Sequence, residues 1–242
     1  MGFPLDAIVP WGRSCEEYVA MFDPSEADLR RRLLGCGDGP AGFNAGLTAQ
    51  GGRVVSCDPL YRFDAAQIRH RIAATSDTVM EQVLAHRSDY IWDTIPSVAP
   101  LGRIRMAAMN AFLDDFEAGS LEGRYVAGGL PDLPFGDAAF DLALCSHFLF
   151  LYSDRLSAAF HLQAIVEMLR VAPEARIFPL LTLAGRPSPH LGTVTEQLAA
   201  QGFRTCRRTV PYEFQRGGHD MLVVMRLPSD PAGGAPGFST IS

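Results

Sequence analysis

The residues with the clearest chemical potential fall in two places. Gly37-Asp-Gly39-Pro-Ala-Gly42 is a G-x-G-x-x-G run set between a short apolar segment and a helix-like one. Glycine lets the chain turn sharply there and lets a ligand come close to the backbone. The helix N-terminus behind it offers free N–H groups and partial positive charge. Asp58 follows 19 residues after Gly39, directly behind the β-branched run Arg53–Cys57. A carboxylate at that strand tip can accept both hydroxyls of a ribose, so the two features point to an adenosine-containing ligand; a tight turn with a capping aspartate is the structural alternative. The second place is Ser146-His147, at the end of the apolar run Phe140–Ser146. Histidine titrates near neutrality, which makes His147 the best candidate for a general base. A neutral histidine that only hydrogen-bonds across a pocket is the competing reading.

The elements that must position these residues follow from caps, breakers and periodicity. Ser14 with Glu17, and Ser25 with Asp28, have capping-box spacing and predict two N-terminal helices. Arg32–Gly35, the glycine cluster, a helix over Phe43–Gln50 and the strand Arg53–Cys57 read as β–glycine turn–α–β. From Asp64 to about Ala118 the spacing turns helical. Ile68, Ile72, Val79, Val83 and Leu84 form one stripe, and Met106, Met109, Phe112, Leu113 and Phe116 another, with Pro96 and Pro100 dividing the segment. This exceeds what a crossover between parallel strands requires and reads as an inserted helical cap.

Strand and helix then alternate again. Arg124–Ala127 is a strand, Leu130–Phe140 a loop, and Phe140–Ser146 a strand buried on both faces. Leu156–Arg170 is an amphipathic helix, and Ala175–Leu183 a strand with an irregularity or end at Pro179. Gly192–Gln201 is a helix; Phe203–Tyr212 and His219–Arg226 form a hairpin around a turn at Gln215–Gly218. Residues 1–227 read as a single domain and 228–242, rich in Pro, Gly and Ser, as a flexible tail.

Composition narrows the function classes. The 242 residues carry 21 basic side chains, all arginine, against 27 acidic ones, for a net charge of −6. Such a balance argues against nucleic acid, whose non-specific binding runs on phosphate neutralisation. No run reaches the roughly 18 apolar residues of a membrane helix, and the N-terminus lacks the basic region of a secretory leader. The five cysteines form no C-x-x-C pair, so no metal site is expected. A cytoplasmic protein with reduced, buried thiols and a small-molecule substrate fits these features; oligomeric state is not readable.

The segment LPDLPFGDAAFDLALCSHFLFLY, together with the G-x-G-x-G run Gly35-Cys-Gly37-Asp-Gly39, resembles class I S-adenosylmethionine-dependent methyltransferases. The closing strand–helix–strand–turn–strand order is similar too. The resemblance spans roughly Asp28 to Arg226 apart from the helical insertion. It implies an α/β fold: a seven-stranded, mostly parallel Rossmann-like sheet with an antiparallel C-terminal hairpin and a helical insertion. It also implies S-adenosyl-L-methionine as cofactor. Gly35, Gly37 and Gly39 would lie against its methionine part and Asp58 would bind its ribose. Pro59 and Leu60 would lie beside adenine with Leu130 across from them, while Ser146 and His147 would stand near the sulfonium and the substrate. Two departures stand out: the acid usual two residues before the first glycine is Leu33, and the acid expected near 128–130 is absent.

The implied reaction is in-line methyl transfer to a small molecule, for which alignment and exclusion of water suffice and a base is optional. Two other functions share the fingerprint. A nicotinamide-dependent oxidoreductase is one, although the absence of lysine excludes its Tyr–Lys form. A non-catalytic S-adenosylmethionine-binding protein is the other. Around the site, Trp11 and Arg13 precede the first capped helix. They form either a lid, with Arg13 meeting the cofactor's carboxylate, or a hydrophobic staple. In the cap, Arg69, His70, Arg71, Arg87, Arg103 and Arg105, preceded by Arg62, would suit an anionic substrate if several faced the pocket. The interleaved Asp77, Glu81, Asp89, Asp93, Asp114 and Asp115 favour a solvated mixed-charge surface instead. Tyr212–Arg216 either borders the substrate or packs.

Overall fold

The computed structural model describes residues 10–226; the segment read as a flexible tail lies outside them. Five strands run parallel: β1 (Arg32–Cys36), β2 (Arg53–Cys57), β3 (Tyr125–Val126), β4 (Leu142–Ser146) and β5 (Glu174–Phe178). Strand β7 (Asp220–Arg226) inserts antiparallel between β5 and β6 (Phe203–Thr209), giving the order β3-β2-β1-β4-β5-β7-β6. This is the Rossmann-like α/β sheet with the antiparallel ending that the resemblance implies.

The core explains the apolar runs. Every residue of β4 is buried. Leu142 and Leu144 pack on one face with Tyr18, Met21 and Phe22 of α1 (Cys15–Phe22) and with Phe43 and Leu47 of α3 (Phe43–Ala49). A short α2 (Glu26–Leu29) leads into β1. Ala143 and Cys145 pack on the other face with Ile165 and Met168 of α6 (Ala158–Val171) and with Val194 of α7 (Leu191–Ala200). Alternate residues thus enter opposite layers, as strand geometry requires. Both N-terminal capping boxes form, at Ser14 and at Ser25.

Boundaries move where local chemistry dictates. Strand β5 stops at Phe178, because Pro179 has no N–H to continue the ladder. Strand β4 begins at Leu142 rather than Phe140, where Asp141 accepts the Arg32 backbone N–H at 2.9 Å. Helix α6 begins at Ala158 rather than Leu156, because the Ser157 hydroxyl caps it by accepting the Phe160 N–H. Strand β3 is only two residues long.

Between β2 and β3 stand two long helices, α4 (Ala65–Ala85) and α5 (Val98–Leu121). Pro100 lies in the first turn of α5, where a missing N–H costs no hydrogen bond. Their bases share an aromatic cluster: Phe112 lies within 6 Å of Tyr61, Phe116 and Tyr125, and Ile68 and Ile72 pack against it. Their far ends arch over to the β6–β7 loop. There the Ile91 N–H donates to the Phe214 carbonyl (2.7 Å) and the Arg216 N–H to the Asp89 carbonyl (2.9 Å). Val83, Ile95, Leu101 and Phe214 bury one another at this junction. The Tyr212–Arg216 loop therefore supports the arch.

Candidate active site

Parallel strands leave their binding crevice at the carboxyl ends, and a cavity of about 670 Å³ lies there. Gly37 and Gly39 both have positive φ, 69° and 54°, so the loop after β1 takes a path that side-chain-bearing residues disfavour. Gly37, Asp38, Gly39 and Pro40 form one wall of the cavity. Gly35, expected on that wall, lies behind it: a Cβ there would fall 1.8 Å from the Asp38 carboxylate.

Asp38 was not singled out by the sequence, yet it is buried and lines the cavity. It accepts the Tyr18 hydroxyl at 2.9 Å and the Ser56 hydroxyl at 2.6 Å. Burial pushes its carboxyl up to about 6, against the pull of those two donors. Asp58, at the tip of β2, accepts the N–H groups of Leu60 (2.7 Å) and Gly39 (2.9 Å). Burial likewise raises it to about 6. Tyr61 then donates its hydroxyl to the Gly39 carbonyl at 2.7 Å, coupling the cap's aromatic cluster to the glycine loop. Pro59, Leu60 and Leu130 border the same space as Asp58.

An adjoining wall comes from the end of β4, the strand beside β1. His147 has φ 53°, a left-handed conformation uncommon outside glycine, and its N–H donates to the Phe178 carbonyl at 2.7 Å. Its Nδ1 lies 2.8 Å from the Ser146 hydroxyl, which in turn donates to the Met21 sulfur. Burial, with the positive charges of Arg13 and Arg105, drives the imidazole well below its usual 6.5, so it is neutral at pH 7.

The roof comes from the N-terminal segment. Pro10, Trp11 and Arg13 line the cavity, and Trp11 packs on the cap's cluster rather than serving only as a staple for α1. Gly12 presses on the glycine loop: a Cβ there would lie 2.0 Å from the Pro40 carbonyl oxygen. The N–H of Gly42, at the start of α3, donates to the Arg13 carbonyl at 2.9 Å. That donor, one of the N–H groups expected to be free at the helix start, is engaged within the protein.

Of the cap's basic residues, Arg69, His70, Arg87 and Arg103 are exposed, while Arg62 and Arg71 line the cavity. Arg105 is fully buried and donates to Glu17, a partner 88 residues away in sequence. Four cysteines are buried, as expected of reduced thiols, and Cys206 is exposed. No helix among the described residues is long and apolar enough to cross a membrane.

No family model matches the chain. An uncharacterised protein of Methanocaldococcus jannaschii is 29% identical over 216 residues, covering 89% of this chain and 95% of its own length. Among solved structures, magnesium protoporphyrin IX methyltransferase from Synechocystis, with bound S-adenosylmethionine, is 14% identical. That match covers 88% of this chain and 78% of the other, with a TM-score of 0.44. A TehB-like S-adenosylmethionine-dependent methyltransferase from Corynebacterium glutamicum is 16% identical over 88% and 85% of the two chains, with a TM-score of 0.44.

Proposed function

We propose that the cavity binds S-adenosyl-L-methionine and that the protein transfers its methyl group to a small molecule. The observation that carries this reading is the pair of carboxylates on the glycine-loop side, Asp38 buried and Asp58 half-buried, both lining the cavity. A dinucleotide would bring a pyrophosphate to that loop, against Asp38 and without the Gly42 N–H. A sulfonium nucleoside brings the opposite charge: a cationic ammonium for Asp38 and a ribose diol for Asp58. Pro59, Leu60 and Leu130 supply apolar contact for adenine.

Bound there, the cofactor supplies a methyl carbon already activated for displacement. The protein's part is to align that carbon with the acceptor and to exclude water; Pro10, Trp11 and Arg13 cover the cavity on one side. Asp38 and Asp58 would hold the cofactor's ammonium and ribose, and its leaving group would be a neutral thioether. The acceptor's proton passes to the neutral imidazole of His147, which lines the same cavity.

Parallel calorimetric titrations of the purified chain with S-adenosylmethionine and with NADH test the assignment. Saturable binding of the first without the second is expected; the reverse pattern would assign the site to a dehydrogenase. Appearance of S-adenosylhomocysteine on addition of a small-metabolite extract distinguishes an enzyme from a binding protein.

A further inference from the structure

His161 is a buried titratable group that the proposed reaction does not use. It lies in the first turn of α6, fully buried, with its ring stacked 5.0 Å from that of Phe150. Both ring nitrogens are engaged by backbone groups: Nδ1 meets the Ser157 carbonyl at 2.7 Å, and Nε2 accepts the Phe150 N–H at 3.0 Å. A carbonyl only accepts and an N–H only donates, so Nδ1 carries the proton and Nε2 the lone pair. The bonded ring is neutral. Its titratable neighbour is His190, at the N-cap of α7, with ring centres 5.2 Å apart; Asp154 and Arg155, on the loop before α6, are exposed. His190 donates to the Ser153 carbonyl at 3.1 Å, and the Ser153 hydroxyl to the Phe150 carbonyl at 2.6 Å. Phe150 is thus held at both its N–H and its carbonyl. It is fully buried with φ 64°, a left-handed conformation that persists in a bulky residue only where the surroundings enforce it. It stands midway between Phe148 and Tyr152, which line the cavity. Phe148 also packs on the glycine loop, where a Cβ at Gly37 would lie 3.2 Å from its ring.

We propose that His161 is a positioning residue for methyl transfer: neutral, it pins Phe150 and so holds Phe148 and Tyr152 against the bound reactants; protonated, it releases them. The inference rests on the methyltransferase reading for what occupies the cavity. The added proton goes to Nε2, where it faces the Phe150 N–H donor to donor. That bond breaks, and a charge is left in the apolar cluster around Phe150. The strained turn loses the contact that enforces it, and the two aromatic side chains on either side of it shift. Burial, with His190 nearby, holds the imidazole below its ordinary 6.5 against the Ser157 hydrogen bond. The pin is therefore fully in place above about pH 6.5 and is lost as pH falls through the lower value of the folded protein.

The test begins with the full, cofactor-free chain. NMR follows the His161 imidazole and the ring signals of Phe148 and Tyr152 as pH falls from about 8. The rings are expected to shift at the pH at which His161 charges. They should lose that step in His161→Gln, whose amide reaches the Nε2 position, accepts the Phe150 N–H and does not titrate. His161→Asn reaches only the Nδ1 position, so it keeps the Ser157 bond and leaves Phe150 unheld. At about pH 8 the affinity for S-adenosylhomocysteine should stay within about twofold in His161→Gln and fall about fivefold in His161→Asn, the worth of one hydrogen bond. Rings that stay fixed while His161 charges, or a His161 that stays neutral until the chain unfolds, overturn the proposal, and neither result needs a variant to fold. So does an equal loss of affinity in the two variants, or no loss in either. An unsubstituted protein that binds no S-adenosylhomocysteine overturns the cofactor reading alone, and the ring titration then decides the pin by itself.

Discussion

Asp38 occupies the space that a side chain at Gly35 would fill: a Cβ there would stand 1.8 Å from Oδ2. The first glycine of the loop therefore makes room for a buried acid, and the acid faces the cavity. Gly35→Ala must displace the carboxylate from its bonds to Tyr18 and Ser56. Losing two hydrogen bonds to a charged group should cost about 3–6 kcal/mol of stability. Thermal unfolding measures that cost, and the affinity for S-adenosylhomocysteine should fall with it.

Asp38 and Asp58 give the protein two pH dependences of opposite sign. Both carboxyls are raised in the folded protein, to about 6 from an ordinary 3.8. Their protonated forms favour folding, so their contribution is fully present below about pH 4 and is lost as pH rises through about 6. Cofactor binding needs them ionised and should weaken as pH falls through about 6. Asp38→Asn should flatten part of both dependences; unfolding midpoints and titrations from pH 5 to 8 on the two proteins check this. Identical profiles in both would remove Asp38 from the account.

Tyr61→Phe removes one hydrogen bond, from the phenol to the Gly39 carbonyl, and leaves the ring stacked on Phe112. Stability should fall by about 0.5–1.5 kcal/mol. Because Gly39 also donates to Asp58, the affinity for S-adenosylhomocysteine should fall several-fold. Unfolding and calorimetry on the same preparation separate the two effects.

Phe112→Ala empties the centre of the cluster that joins α4, α5 and β3. Phe112 is fully buried. Truncation of a buried phenylalanine costs about 3–5 kcal/mol. A loss under about 1 kcal/mol in denaturant unfolding would mean that the two helices are not anchored as described.

The sheet was legible because its signals are local. Ser14 and Ser25 sit three residues before their capping partners, and β4 is apolar at consecutive positions because both its faces are buried. Asp58 was legible because its place depends only on the glycine turn and the strand after it. Asp38 was not, since its role arises from a gap at Gly35, a hydroxyl on α1 and another on β2. Nothing in the local sequence separates Arg71, which faces the cavity, from Arg69, two residues and about half a turn away. Arg105 reads as one more surface charge until Glu17 is brought to it by the fold.

Calorimetric titration of S-adenosylhomocysteine into the unsubstituted protein and into Asp58→Ala decides whether Asp58 holds the cofactor. The proposed binding mode predicts saturable binding at one site per chain and a loss of at least tenfold on substitution, with the fold retained. Equal affinity in the two proteins would contradict it.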